Sequence, residues 1–328
     1  MALVTLYMAA SFLMASLYGQ ADKFSPLLYM DYSAMVTAGI AVLYFFYLCL
    51  RVYWLLFAKR PERPMQFLMQ DLKDGPLNLQ RYYAALPVFI GLLFFMSAFS
   101  SMKMMIPAIH PFAWDDAFIK LDRIIHFGID PWRILHPLLG HPAVTWLVNV
   151  VYNCWMLVLF AVLYWQAFSL SNNTVRMQFF YTFVLTWAVN GTFLATYFSS
   201  AGPCFLERLN GSDYYRPLMD HLAQAGGDRP LWALVNQNWL WDEAMNAAAI
   251  PGGGISAMPS IHVAVAFLYM LLALKLKMTL PFRIFYIAFF VLILIGSIYL
   301  GWHYAVDGYV AIIITWILWH CSSFLIRQ

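Results

Sequence analysis

Residues 283–301 read RIFYIAFFVLILIGSIYLG, and this stretch decides the fold class. Its only charged side chain is that of Arg283, at the first position. A helix needs about 20 apolar residues to cross a hydrocarbon core of roughly 30 Å, where an open backbone could not satisfy its hydrogen bonds. The stretch therefore predicts a membrane-spanning helix, which leads directly into Trp302 and His303.

The composition of the whole chain extends this prediction to the rest of the protein. Of the 328 residues, 63% are hydrophobic and only 11% are charged, and the mean hydropathy is +0.68. Such values exclude an ordinary soluble domain and indicate a polytopic membrane protein. The net charge of +3 identifies no partner, because it averages two faces of opposite sign, and we expect no nucleic-acid partner.

Eight apolar stretches are long enough to be candidate spanning helices. They are residues 2–19, 32–57, 84–102, 143–168, 178–198, 258–274, 283–301 and 306–325. The first lacks a basic segment before its apolar run, so we expect a retained helix rather than a cleaved signal. The predicted fold is all-α, a polytopic membrane helical bundle of about eight transmembrane helices. We treat 1–328 as one integral membrane domain, with N-terminal helices in 1–177 and both histidine motifs in 178–325.

Lysines and arginines alternate with the spans in a way that predicts orientation. If the N-terminus is cytoplasmic, the inner segments carry Lys59, Arg60, Arg63, Lys73, Arg81, Arg176, Lys275, Lys277, Arg283 and Arg327. The loops on the other side are rich in aspartate and glutamate. Since basic loops favour the cytoplasm, we expect both termini there and both histidine motifs facing the periplasm, lumen or exterior.

Two outer segments, residues 103–142 and 199–257, are too apolar to be plain linkers. Between Trp114 and Leu135, apolar residues recur at helical spacing among charged ones, which predicts an interfacial helix. The second segment contains Trp232, Trp239 and Trp241, residues typical of the headgroup level. These segments either cap the bundle or form a vestibule that holds a lipid headgroup; the sequence leaves both open.

His303 and Asp307 form the first candidate pair. They are four residues apart, the spacing at which side chains meet on one face of a helix. Asp307 would accept a hydrogen bond from one ring nitrogen and leave the other free as a nucleophile. The alternative is structural: His303 bonds to a loop carbonyl, and Asp307 caps the last helix.

His262 lies in the second candidate motif, Pro259-Ser260-Ile261-His262, which follows Gly252-Gly253-Gly254. Pro259 suits the first turn of a helix. Ser260, the backbone near Gly254 and the free N–H groups of a helix start together predict an anion-binding site. An ordinary helix start with a glycine hinge is the alternative.

These motifs resemble those of the type-2 phosphatidic acid phosphatase superfamily, and within it the branch that contains inositol phosphorylceramide synthases. The resemblance covers roughly residues 178–325 and includes the Gly-Pro segment within Ser200–Phe205. It implies a six-helix phosphatase-type core with interfacial helices on the extracytoplasmic side. It also implies that His303 is the nucleophile, that Asp307 orients it and that His262 protonates the leaving group.

The chain departs from the family pattern in its basic residues. Arg216-Pro217 fits the end of the block Lys, six residues, Arg-Pro, but Leu209 stands at the place of the lysine, one position after Arg208. Ser297 stands where the final block often carries arginine, which removes a bidentate phosphate contact. The loss favours a phosphodiester donor over a doubly charged monoester. We expect Arg208 and Arg216 to hold the phosphate, with Lys103 and Arg123 as reserves.

The expected function is a lipid phosphatase or phosphotransferase that works through a phosphohistidine. The substrate would be a phosphorylated lipid in the bilayer, and water or a lipid alcohol would be the acceptor, as in inositol phosphorylceramide synthesis. We expect no cofactor and no metal. The alternatives are a metal-dependent hydrolase that uses His303 and Asp307 as ligands, a polytopic transporter, and a non-catalytic membrane scaffold.

Overall fold

The protein is described by a computed structural model that covers residues 1–75, 77–246 and 251–326. These residues contain no strand. In chain order the helices are α1 (Ala2–Leu17), α2 (Met30–Trp54), α3 (Pro64–Asp74), α4 (Leu79–Ile109), α5 (Asp115–Ile125), α6 (Pro131–Leu139), α7 (Pro142–Asn153), α8 (Trp155–Phe168), α9 (Asn173–Ala188), α10 (Ala195–Tyr197), α11 (Leu206–Asn210), α12 (Arg216–Gly226), α13 (Trp232–Asn246), α14 (Ile261–Lys275), α15 (Leu280–Tyr299) and α16 (Ala305–Leu325). The predicted all-α class is confirmed.

Several of these helices are suited to a bilayer by length and composition. Among the described residues, five helical segments qualify as candidate membrane spans: Pro64–Ile109, Pro142–Phe168, Asn173–Tyr197, Leu280–Tyr299 and Ala305–Leu325. Two shorter helices, α1 and α14, are also apolar. The predicted span 32–57 falls on α2, where the side chains of residues 31–37, 39–41 and 43 lie outside the described part. The protein is therefore a polytopic helical membrane protein.

Two differences between the predicted spans and the observed helices bear on the site. The span predicted at 258–274 begins as a helix only at Ile261, because Ser260 is the N-cap residue of α14. The span predicted at 84–102 continues as α4 to Ile109. The apolar face continues beyond Met102, since Met105 and Ile106 are also buried, and Lys103 is consequently part of a helix rather than of an outer loop.

The last three helices bring the two histidine motifs to one place. α14 packs against both α15 and α16. Since α15 is the single return helix between them, α14 and α16 must begin at the same end of the bundle. We call this end, where Ile261 and Ala305 start their helices, the histidine end.

The first outer segment folds into α5 and α6, and α5 has two distinct faces. Its buried face contains Asp115, Phe118, Ile119 and Asp122. The apolar residues that the sequence assigns to this helix are otherwise largely exposed, and the exposed fraction is 75% for Ile124. One side of α5 thus packs on the protein through two carboxylates, while the other presents apolar side chains outward, as in an interfacial helix.

The second outer segment, α11 to α13, packs on the histidine end. The amide of Gln237 donates to the carbonyl oxygen of Leu300, and the backbone N–H of Ala233 donates to Asn149 Oδ1. Trp232 and Trp239 are exposed, as expected for residues at headgroup level. Trp241 instead stacks on Phe205, with 5.7 Å between the ring centroids.

Candidate active site

His303 lies in the short loop that joins α15 to α16. The backbone N–H groups of Trp302 and His303 both donate to the carbonyl oxygen of Ser297, at 3.1 and 3.0 Å, which ends α15 in a tight turn. The side chain of His303 is buried, with an exposed residue fraction of 7%. The turn therefore directs the imidazole into the protein rather than into solvent.

The ring of His303 is fixed through one of its nitrogens. Nδ1 lies 2.8 Å from the carbonyl oxygen of Ala257 and 3.3 Å from Oδ2 of Asp307. A carbonyl oxygen only accepts, so Nδ1 carries the hydrogen and donates it. In the neutral ring, Nε2 then keeps a free lone pair. Both contacts weighed from the sequence are present, and the loop carbonyl makes the shorter one.

The surroundings of His303 also fix its protonation state. Burial lowers the pKa of His303 to about 3, with the bond to Ala257 acting upward and the charge of Lys103 acting downward. Desolvation disfavours the charged form of an imidazole. The ring is consequently neutral at pH 7, which is the form that can act as a nucleophile.

Asp307 holds this loop as well as the histidine. It is fully buried in the first turn of α16, and its Oδ2 accepts a hydrogen bond of 3.0 Å from the N–H of Tyr304. Its Oδ1 has no partner among the residues that the structure describes. Asp307 thus both caps the helix and contacts His303.

His262 is the second residue of α14, and Ser260 caps that helix. The hydroxyl oxygen of Ser260 accepts from the N–H of Val263 at 3.4 Å. The N–H of Ser260 donates to the carbonyl oxygen of Asp307 at 3.2 Å. This bond ties the start of α14 to the first turn of α16, so the positions of the two histidine motifs depend on each other.

The two imidazoles lie close to each other. The ring centroids of His262 and His303 are 6.2 Å apart, at an angle of 56°. His262 stacks on Tyr152 at 5.2 Å and lies 4.3 Å from the ring of Trp155. The indole N–H of Trp155 donates to the carbonyl oxygen of His262 at 3.1 Å. The separation lets the two rings contact one tetrahedral group from different directions.

The Gly-Pro segment within Ser200–Phe205 lies between the two histidine loops. The N–H of Ala257 donates to the carbonyl oxygen of Ser200, and the N–H of Cys204 donates to that of Gly301, both at 2.9 Å. Gly202 has a φ of +98°, and a Cβ there would lie 2.7 Å from the carbonyl oxygen of Trp302. Only glycine tolerates this approach and this conformation without strain.

Asp122 is a site residue that the sequence did not single out. Its two carboxylate oxygens accept hydrogen bonds from the N–H groups of Ala305 and Val306, at 2.8 and 2.9 Å. These are first-turn groups of α16, where a negative charge is favourable. Burial raises the pKa of Asp122, and the two backbone hydrogen bonds lower it. The available signal was an aspartate on the face that also carries Phe118 and Ile119.

Asp115 lies two turns before Asp122 on α5 and supports the same loops. Its carboxylate accepts from the N–H groups of Ala201 and Gly202, at 3.0 and 2.9 Å, and from the hydroxyl of Tyr304, at 2.8 Å. An aspartate at the first position of a helix is usually explained by helix capping. The structure instead joins it to the Gly-Pro segment and to the residue after His303.

The arginines expected to hold the phosphate have other partners. Arg216 forms an exposed ion pair with Glu207 at 2.6 Å. Arg208 donates to the side chain of Asn238 and lies over the ring of Trp241. Within residues 1–75, 77–246 and 251–326, no hydrogen bond or ion pair joins either guanidinium to His262 or His303.

Arg123 and Lys103, the two further basic residues considered from the sequence, differ in their surroundings. Arg123 donates to the carbonyl oxygen of Gly128 at 3.0 Å on the exposed side of α5. Lys103 is partly buried and acts electrostatically on both imidazoles. Gly254 lies against it: φ is +84°, and a Cβ would be 2.9 Å from the carbonyl carbon and oxygen of Lys103.

Comparison with known proteins gives one match. A family model described as the PAP2 superfamily matches residues 116–321, which is more than half of the chain and includes both histidine motifs and all of α5 except Asp115. No curated protein and no solved structure matches the chain.

Proposed function

The chain belongs to the PAP2 superfamily, and on this premise we propose that it is a membrane lipid phosphatase or phosphotransferase that works through a phosphohistidine. One observation carries the proposal. His262 and His303, 41 positions apart in the sequence, have ring centroids only 6.2 Å apart at one end of the bundle. The neutral state of His303 and the free Nε2 add to it, because a nucleophile needs an available lone pair.

In the first step, Nε2 of His303 attacks the phosphorus atom of a phosphorylated lipid. A nitrogen–phosphorus bond forms, and the bond from phosphorus to the leaving oxygen breaks. His262, in its protonated form, gives a proton to that oxygen and becomes neutral, so the leaving group departs as a neutral alcohol. Ala257 and Asp307 keep the Nδ1 hydrogen bonded as positive charge develops on the ring of His303.

In the second step, water or an alcohol cleaves the nitrogen–phosphorus bond. His262 takes the proton of the incoming hydroxyl, and His303 is released as a neutral imidazole. Water gives a phosphatase, whereas a lipid alcohol gives a phosphotransferase of the inositol phosphorylceramide synthase type. The serine at position 297 supports a phosphodiester donor, because the site lacks a guanidinium there for a doubly charged monoester.

Ser260 and Gly254 are proposed to contribute to phosphate binding from the start of α14. The Ser260 N–H is already bonded to Asp307, and its hydroxyl oxygen accepts from Val263. The hydroxyl hydrogen and the N–H groups of the first turn are what this segment offers to an anion. Arg208 and Arg216 would contribute only by leaving their present partners, Asn238 and Glu207.

We propose that the histidine end faces the periplasm, lumen or exterior. The loops at the other end carry most of the lysines and arginines, which favours a cytoplasmic location for them and for both termini. The substrate would then enter from the outer leaflet beside α5 and the turn that follows it, where the exposed Ile124 and Phe127 suit contact with acyl chains.

The proposal is tested by incubating the purified protein with a panel of labelled phospholipids, with and without lipid alcohols, and separating the products. We expect release of phosphate or transfer of a phospho-headgroup, lost in His303→Ala and retained in His141→Ala, an exposed histidine. A His303→Ala protein with full activity would overturn the mechanism. Activity that persists in a chelator separates this mechanism from the metal-dependent alternative, and uptake into vesicles without product formation would favour the transporter.

A further inference from the structure

The immediate surroundings of His303 are strongly acidic. Asp115, Asp122 and Asp307 are buried around its loop, with exposed fractions of 5%, 2% and 0%. A phosphate ester brings further negative charge to the same place. Charge repulsion in such a poorly solvated site opposes binding unless a cation is close. The proposed reaction therefore requires a positive group that compensates for the acidic surroundings.

The positions where the family pattern would supply this charge do not supply it. Ser297 is buried, and its hydroxyl donates to the carbonyl oxygen of Leu294 at 2.8 Å. Arg216 is paired with Glu207, and Arg208 with Asn238, on the exposed outer surface. These contacts leave the charge requirement unmet at positions 208, 216 and 297.

One face of α4 approaches the site. Phe99, one turn before Lys103 on this face, packs edge-on against Trp187 with 4.8 Å between centroids. A Cβ at Gly191 would lie 2.6 Å from Phe99 and 3.0 Å from Ile261, the residue before His262. The side of α4 that carries Lys103 therefore lies near the start of α14, with Gly191 against both.

The next turn of α4 brings Lys103 to the level of the glycine loop before Ser260. The backbone of Gly254 packs directly on that of Lys103. The ammonium acts electrostatically on His262 and His303. It makes no hydrogen bond or ion pair with any residue in the described part of the chain. A partly buried cation without a partner is costly and is typical of a group that pairs with a ligand.

Two neighbouring hydrogen-bond donors also lack partners. The hydroxyl of Tyr152 and the indole N–H of Trp302 are buried, and neither meets an acceptor among the described residues. Their rings stack at 6.4 Å, and Tyr152 stacks on His262. Buried donors lose free energy until they are paired. Unsatisfied donors and an unpaired cation therefore surround the same pair of imidazoles.

We propose that Lys103 binds the phosphate oxygens of the substrate and replaces the arginine missing at position 297. The inference rests on the proposed function. It assigns the charge of the site to a helix that precedes the family match at residues 116–321. Tyr152 and Trp302 would donate hydrogen bonds to the same phosphate ester.

The test compares Lys103→Met with Lys103→Arg, and uses Lys120→Met, an exposed lysine on α5, as the matched control. The purified full chain is studied by equilibrium dialysis with labelled orthophosphate and by kcat/KM on the lipid that it turns over. We expect Lys103→Met to weaken orthophosphate binding at least about tenfold and to lower kcat/KM by roughly 10²–10³-fold, as for loss of a charge that stabilises a transition state. Lys103→Arg should retain most of both, and Lys120→Met all of both.

Orthophosphate binding by Lys103→Met equal to that of the unaltered protein overturns the inference, as does a lack of orthophosphate binding in the unaltered protein. If no lipid is turned over but orthophosphate binding still depends on Lys103, the proposed function fails and the anion site stands. If turnover requires His303 and is unchanged in Lys103→Met, the function stands and the role of Lys103 fails. Should Lys103→Met not fold, Lys103→Gln carries the same comparison, with the melting temperature in detergent as the check.

Discussion

The helices that carry the two histidine motifs and the helices that come before them contribute different parts of one site. α14 supplies His262, and the loop that leads into α16 supplies His303. α5 supplies Asp115 and Asp122, which hold the loops around His303, and α4 supplies Lys103. Asp122 and Ala305 are 183 positions apart, yet their hydrogen bond is 2.8 Å long. The difference teaches that a short motif identifies the groups proposed to react, whereas the groups that hold and charge them come from distant helices.

The largest expected effect comes from a change in the histidine motifs. His303→Ala should abolish turnover, with a loss of roughly 10⁴-fold or more, because it removes the attacking nitrogen. The melting temperature should fall little, since the loop is also held by Asp115, Asp122 and Asp307. Kinetics and thermal unfolding on the same preparation measure both. Substantial remaining turnover would mean that another group attacks phosphorus.

His262→Ala should have a smaller effect that depends on the leaving group. Loss of a general acid costs typically 10²–10⁴-fold with a poor leaving group. A substrate with a good leaving group needs no proton and should be cleaved at a rate closer to that of the unaltered protein. The ratio of the two rates is the measurement. Equal losses with both substrates would exclude His262 as the acid.

Asp122→Asn tests the contribution of α5, which holds the loop of His303. The change removes the charge that accepts from Ala305 and Val306, and hydrogen bonds to a charged group contribute about 1.5–3 kcal/mol each. We expect a lower melting temperature and a fall in kcat of about tenfold, with KM nearly unchanged, because the loop of His303 is displaced. Asp116→Asn, an exposed neighbour on the same helix, is the control. A rise in KM with kcat unchanged would instead indicate that Asp122 acts in substrate binding.

The acid limb of the pH profile provides the finest test. The pKa of His303 is lowered from 6.5 to about 3, so the unfolded chain binds a proton that the folded chain does not as the pH falls through this range. Stability should therefore decrease from about pH 6.5 towards pH 3, and less so in His303→Asn. Since Lys103 lowers the same pKa, Lys103→Met should move the acid limb of kcat to higher pH. An unmoved limb would mean that the ammonium lies too far from His303 to act on it.

The sequence predicted much of the fold because spanning helices depend on local composition. The apolar runs and the starts of α14 and α16 can be located in the sequence to within a few residues. The end of α4 was predicted too early, at residue 102, which assigned Lys103 to the outer segment. Burial of Met105 and Ile106 shows that the helix continues past Lys103.

The supporting contacts could not be predicted, because they depend on how distant segments meet. From its sequence, α5 reads as an amphipathic helix with charges facing water, yet Asp115 and Asp122 are buried. Which side of such a helix faces the protein is decided by the backbone N–H groups of the Gly-Pro segment and of α16. Likewise, the chain alone does not reveal that Arg216 has Glu207 as a partner while Lys103 has none in the described structure.

The central claim is that His303 carries the phosphoryl group between donor and acceptor. The most direct measurement is rapid quenching of the purified protein with a phosphorus-labelled lipid donor, followed by mapping of the labelled peptide under conditions that preserve nitrogen–phosphorus bonds. We expect the label on His303 and none in His303→Ala. With a donor that has a good leaving group, His262→Ala should carry more label, because only the second step then depends on His262. Steady turnover of the lipid with no label on His303 at any time would contradict the account.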